Sequence, residues 1–237
     1  MLYVCDEQLD LSIHPSFLNI FIMKAHTTQT KKQTGTQYQV QADFGRAARC
    51  NQLICDAFHQ HLFNLREAHL SSRLFARVYD VLRSDELHAV GSRTMASGNL
   101  GLLEGFDFNK RKPLHRIFNG SFDVRINRRK GECVVDVPNF DPVRHLRWEG
   151  RITHIKILAA AAVLDFRSLK FLPIAQESGF LDIQQLVGAT LPLAFPARTR
   201  RPLLVVMGME FYQFVGSRYF LRQQDGAKSL TIVKTDR

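Results

Sequence analysis

The feature that most constrains this chain is a change of period. Between Asp43 and Ser84 apolar residues recur three and four apart, the spacing of a helix with one buried stripe. From about residue 120 onward they alternate with polar ones, as in Phe122-Asp-Val-Arg-Ile-Asn-Arg128, the spacing of a strand with one buried face. Helices followed by strands, with little helical spacing between the strands, predict an α+β protein: an N-terminal helix pair, then an antiparallel β-sandwich-like domain. The expected divisions are a flexible lead (1–42), a helical part (43–90), a Gly-rich connector (91–120) and the β domain (121–237).

With 237 residues, 45% of them hydrophobic, the chain can build a sizeable core. Its longest apolar run, Ile157 to Leu164, has only eight residues, whereas a membrane helix needs roughly 20, so no membrane span is expected. Asp6, Glu7 and Asp10 stand where a signal peptide would carry positive charge. Met23 opens a polar segment that resembles a natural beginning, so residues 1–22 are read as a translation-start artefact. Four cysteines without a dense framework suit free thiols and a cytoplasmic location. Of the formal net charge of +10, most belongs to residues 121–237, which carry 18 basic and 11 acidic side chains.

Residues 24–42, rich in Lys, Thr and Gln, hold too little apolar surface to offset the entropy of ordering. Asp43 is then placed as a helix cap, with Phe44, Ala47, Leu53, Ile54 and Phe58 on the stripe behind it. A second helix is expected from Leu70 to Leu82. Phe122 to Arg128 and Glu132 to Val137 predict a hairpin turning through Arg129-Lys-Gly131. Ile152 to Phe166 and Leu203 to Val215 predict long buried strands. Ile155, Ile157 and Val163 are β-branched on one face, which favours strand over helix for the alanine run 159–162. Gly216-Ser217 suits a type II′ turn, Asp225-Gly226 marks another, and Ser229 to Lys234 is a last strand.

Chemistry is sparse. Cys55 and His59, four apart, could supply half a zinc site, but Cys50 lies about 140° round the helix from Cys55 and no paired cluster follows. Gly98, Gly101 and Gly105 match neither common phosphate-binding spacing. Asp165 and Glu210 each interrupt an apolar strand, and a facing pair could act as acid and nucleophile in glycoside hydrolysis. The plainer reading makes Asp165 a turn residue and Glu210 the buried partner of an arginine. No G-x-S-x-G elbow or H-E-x-x-H appears in the sequence. No catalytic residue, metal or cofactor is therefore assigned. What stands out is charge: Arg125, Arg128, Arg129 and Lys130 crowd one hairpin, while Arg198, Arg200 and Arg201 crowd a second loop. Aromatic side chains are not interleaved with them as single-strand nucleic-acid binders require.

Four phrases, Ala42-Asp-Phe-Gly-Arg-Ala47, Gly101-Leu-Leu-Glu-Gly-Phe-Asp-Phe-Asn109, Gly208-Met-Glu-Phe-Tyr-Gln213 and Ser229-Leu-Thr-Ile-Val-Lys234, together resemble a family of bacterial proteins of unassigned function. The resemblance spans about residues 33 to 237 and carries no catalytic signature. It implies a start near the polar lead and transfers no site. The sequence thus favours a non-catalytic interaction or structural protein presenting basic loops to an acidic protein partner. A hydrolase with strand-borne carboxylates and a nucleic-acid binder are the alternatives.

Overall fold

The computed structural model describes residues 35–62, 65, 67–148, 150–222 and 228–237. The lead before residue 35, with its proposed start-site artefact, and the Asp225-Gly226 turn lie outside the described residues. The protein is mixed α+β, and every strand pairing is antiparallel. Helix α1 spans Gly35–Ala57, α2 His59–Leu62 and α3 Leu70–Arg83, and short helices α4 (Leu114–Ile117) and α5 (Pro142–His145) interrupt the later chain. The strands are β1 (Asp123–Asn127), β2 (Glu132–Phe140), β3 (His154–Asp165), β4 (Lys170–Glu177), β5 (Leu181–Asp182), β6 (Val187–Ala194), β7 (Leu203–Val215), β8 (Arg218–Leu221) and β9 (Lys228–Asp236).

They form two sheets, a three-stranded one ordered β1-β2-β6 and a six-stranded one built on β4-β3-β7-β8, with β5 on β3 and β9 on β7. Burial explains why β3 and β7 read as nearly unbroken apolar runs: both of their faces are covered. On one face Leu158, Ala160, Leu164, Leu204 and Val206 join a core with Ala47, Ile54, Leu74, Val78 and Leu82 of α1 and α3. On the other, Ile155, Ile157, Val163, Val205 and Met207 meet Cys133, Val135, Leu191 and Leu193 of the smaller sheet. The small alanines let the helices approach β3 closely, and β-branched neighbours hold its extended backbone.

Three local details depart from the sequence reading. Helix α1 begins at Gly35, not Asp43; its residues 35–42 are exposed all round, so no apolar stripe announces them. Asp43 is instead buried inside the helix, where it accepts the Gly91 N–H at 3.0 Å and pairs with Arg46 at 3.0 Å. Gly216 and Ser217 both have positive φ, 54° and 67°, so the β7–β8 turn is type I′ rather than II′. The Gly-rich connector is also more ordered than its composition implies. Asp85, 2% exposed, accepts the N–H groups of Leu87 and Thr94, and Gly105 and Phe108 donate to Ile232 and Leu230 of β9. This stretch covers an edge of the large sheet that would otherwise be open to further pairing.

Candidate functional site

The two basic loops predicted from sequence meet at one end of the molecule. Gly131, at φ 74°, closes the β1–β2 turn so tightly against the loop after β6 that a Cβ there would lie 2.1 Å from the Phe195 carbonyl. Phe195 N donates to Gly131 O at 2.7 Å, and Arg198 N to Arg128 O at 2.6 Å, which staples one loop to the other. Arg128 completes the join: its Nε meets Asp236 at 2.5 Å and its Nη1 donates to the carbonyls of Thr199 and Arg201. Arg201 pairs with Asp165 at 3.1 Å. Arg128 therefore acts inward, and Arg201, though exposed, is matched by the strand-end Asp165; both are charge-assisted links between loops and strand ends.

The rest of the set divides again. Arg125 lies on β1, exposed, between Asp123 at 3.4 Å and Asp136 at 3.9 Å. Arg129, Lys130, Arg198 and Arg200 are exposed, and no acid among the described residues pairs with any of them. Four cations on adjoining turns, with no acid among the described residues to neutralise them, create a local positive field. The start of β4 exposes Phe171 on the helix side and Leu172 on the small-sheet side, each about two-fifths accessible.

Asp165 and Glu210 are not brought together. Register pairs Asp165 with Lys170 at one end of β3 and Glu210 with Lys156 near the other. Nine residues of strand between those positions amount to about 30 Å. Asp165 is a turn residue, accepting from Arg167 N and Ser168 N at 3.1 Å each. The Ser168 N–H and hydroxyl outweigh partial burial and hold its carboxyl below the usual range.

Glu210 belongs to a different cluster, at the opposite end of the large sheet. Its partner is a lysine rather than an arginine: Lys228 Nζ lies 3.0 Å from Oε1, and the Tyr212 hydroxyl donates to Oε2 at 2.6 Å. On the neighbouring strands Lys156 meets Glu177 at 2.8 Å, and its ammonium stands 4.5 Å from the Phe180 ring centre. Glu177, Lys156, Glu210 and Lys228 thus alternate in sign across β4, β3, β7 and β9. Burial works to raise the Glu210 carboxyl, but Lys228, Tyr212 and Lys156 together hold it below the usual range. Burial and the Glu210 hydrogen bond push the Tyr212 phenol well above the ordinary tyrosine range. His61 of α2 feels the same cluster; burial first and Lys228 second lower its imidazole, which is neutral at pH 7. Every charge here has an opposite neighbour, so the cluster is a closed network. Sequence reading placed Glu210 and Tyr212 on one strand face but missed Lys228, Lys156 and Glu177, because only strand register aligns them.

The Cys55–His59 pairing loses its geometric basis, since α1 ends at Ala57 and His59 opens α2. Cys55 packs against the helix-side core and burial pushes its thiol up to about 11. Among the described residues no three His, Cys, Asp or Glu side chains converge as metal ligands would, and no helix is long and apolar enough to cross a membrane. No protein-family model, curated protein or solved structure matches the chain.

Proposed function

We propose that this chain is a non-catalytic interaction protein. On this reading the two sheets act as a sandwich-like scaffold, backed by the α1–α3 helix pair, and the joined basic loops meet an acidic segment of a protein partner. The observation that carries it is the contrast within the basic set: Arg128 holds the loops together and Arg201 is paired with Asp165, while Arg129, Lys130, Arg198 and Arg200 are exposed without acidic partners among the described residues. Exposed Leu172, on the small-sheet side of β4, favours a protein over a nucleic acid, because apolar contacts survive salt and phosphate contacts do not.

The test is fluorescence anisotropy with a labelled peptide of alternating Glu and Leu, and with labelled single- and double-stranded oligonucleotides, at low and physiological salt. The peptide should stay bound at physiological salt while the oligonucleotides are released. Replacing Arg129, Lys130, Arg198 and Arg200 by Ala should weaken peptide binding at least tenfold. Sub-micromolar oligonucleotide affinity at physiological salt, lost in the same variant, would overturn this reading in favour of nucleic-acid binding.

A further inference from the structure

A cavity of about 400 Å³ opens between α1, the segment around Met95 and the β3–β4 turn. Such a volume suits a small ligand, toward the lower end of the roughly 300–1,000 Å³ common for such sites. Its charged walls are Arg46, Arg49 and Arg167; its apolar surface comes from Met95, Phe166 and Leu169, with Cys50 beneath. Arg46 is fixed in place, bonded to Asp43 at 3.0 Å and to the carbonyls of Arg93 and Gly91 at 2.6 and 3.3 Å. Arg49 follows one turn later on the same helix face, and Arg167 reaches in from the hairpin opposite. Both are exposed, and no acid among the described residues pairs with either.

The carboxylates on the elements around the cavity are already engaged, Asp85 by the Leu87 and Thr94 N–H groups and by His88. Asp43 is held by Arg46 and the Gly91 N–H, and Asp165 by Arg201 and the turn N–H groups. The walls therefore carry positive charge in excess, over a surface that is apolar. Burial pushes the Cys50 thiol up to about 11 although Arg49 and Arg46 pull the other way, so it serves as a small neutral wall. Leu169 stands at φ 55°, a conformation that favours Gly or Asn, and its side chain lines the cavity. A leucine kept where glycine would be easier is the kind of local strain found at binding sites.

We propose that this cavity binds a small amphiphilic anion, an apolar body bearing one carboxylate or phosphate group. Arg49 and Arg167 each present a planar guanidinium to the oxyanion, Arg46, already paired with Asp43, forms a fixed wall beside them, and Met95, Phe166 and Leu169 cover the apolar body. None of its lining residues belongs to the two basic loops, and the site does not depend on their role.

Isothermal titration calorimetry with octanoate, octyl phosphate, octanol and inorganic phosphate tests it. At least one of the two amphiphilic anions should bind at least tenfold more tightly than octanol or inorganic phosphate, and which of the two is tighter tells carboxylate from phosphate recognition. The double variant Arg49→Ala, Arg167→Ala should lose that affinity at least tenfold, and Leu169→Gly should weaken it while raising the melting temperature. Arg129→Ala should bind like the wild type, which separates this site from the partner surface. Failure of both amphiphiles to bind, octanol binding as tightly as they do, or unchanged affinity in the double variant would each overturn the proposal.

Discussion

The two ends of the large sheet carry similar residue types and opposite logic. At one end, Glu177, Lys156, Glu210 and Lys228 alternate across four strands, so each charge meets its opposite within the fold. At the other, the β1–β2 and β6–β7 loops gather cations of which Arg128 and Arg201 are matched and four neighbours have no acid among the described residues. A charge that is taken out of water must be compensated where it stands, whereas an exposed charge is free to await a partner. The first end is thus explained by stability, and on our proposal the second serves recognition.

Breaking the matched end should produce the largest effect. Glu210→Gln leaves Lys228, only 7% exposed, without its counter-charge and should cost about 3 kcal/mol in urea unfolding. Replacing both partners, Glu210→Leu with Lys228→Met, should restore most of that, because desolvation of both ions is then avoided. A double variant as unstable as the single one would show that the pair does more than compensate itself.

A smaller loss is expected from Gly131→Ala, which touches no charge. The new Cβ would collide with the Phe195 carbonyl and the residue would be held at a positive φ, for a cost of about 2 kcal/mol. It should also weaken acidic-peptide binding by parting the two basic loops. Unchanged peptide affinity would show that the cations work without being held together.

Acid should find the matched end first. The His61 imidazole is lowered from 6.5, so the unfolded chain takes up the proton before the folded one. The stability tied to His61 is present above about pH 6.5 and is lost as pH falls below it. Glu210, lowered from 4.5, adds a second loss as pH falls from that value through its folded one. His61→Gln should therefore flatten the stability curve between about pH 7 and 5.5 while leaving the lower limb. Equal slopes in both proteins over that window would contradict the placement of His61 in the cluster's field.

Much of this architecture was legible in the sequence. The helix Leu70–Arg83, the hairpin around Gly131 and the strand identity of the alanine run follow from spacing and β-branching alone. Strands β4 and β6 were not announced, and the reason is their position. Each carries a proline, Pro173 or Pro192, and each lies at the edge of its sheet, where a missing N–H is tolerated. The basic residues could be named individually from sequence, but their division into matched and unmatched sets could not, because Asp236 reaches Arg128 across 108 positions. The Glu210 network was hidden for the same reason, since it is written in the register of four strands.

The most direct test of the contrast between the two ends is one urea-unfolding series in which the Arg129, Lys130, Arg198, Arg200 to Ala variant is measured beside Glu210→Gln. If the four cations serve recognition, their loss should change stability by no more than about 0.5 kcal/mol, or raise it at low salt as mutual repulsion is relieved. A loss comparable to that of Glu210→Gln would contradict the account and make the basic end as structural as the other.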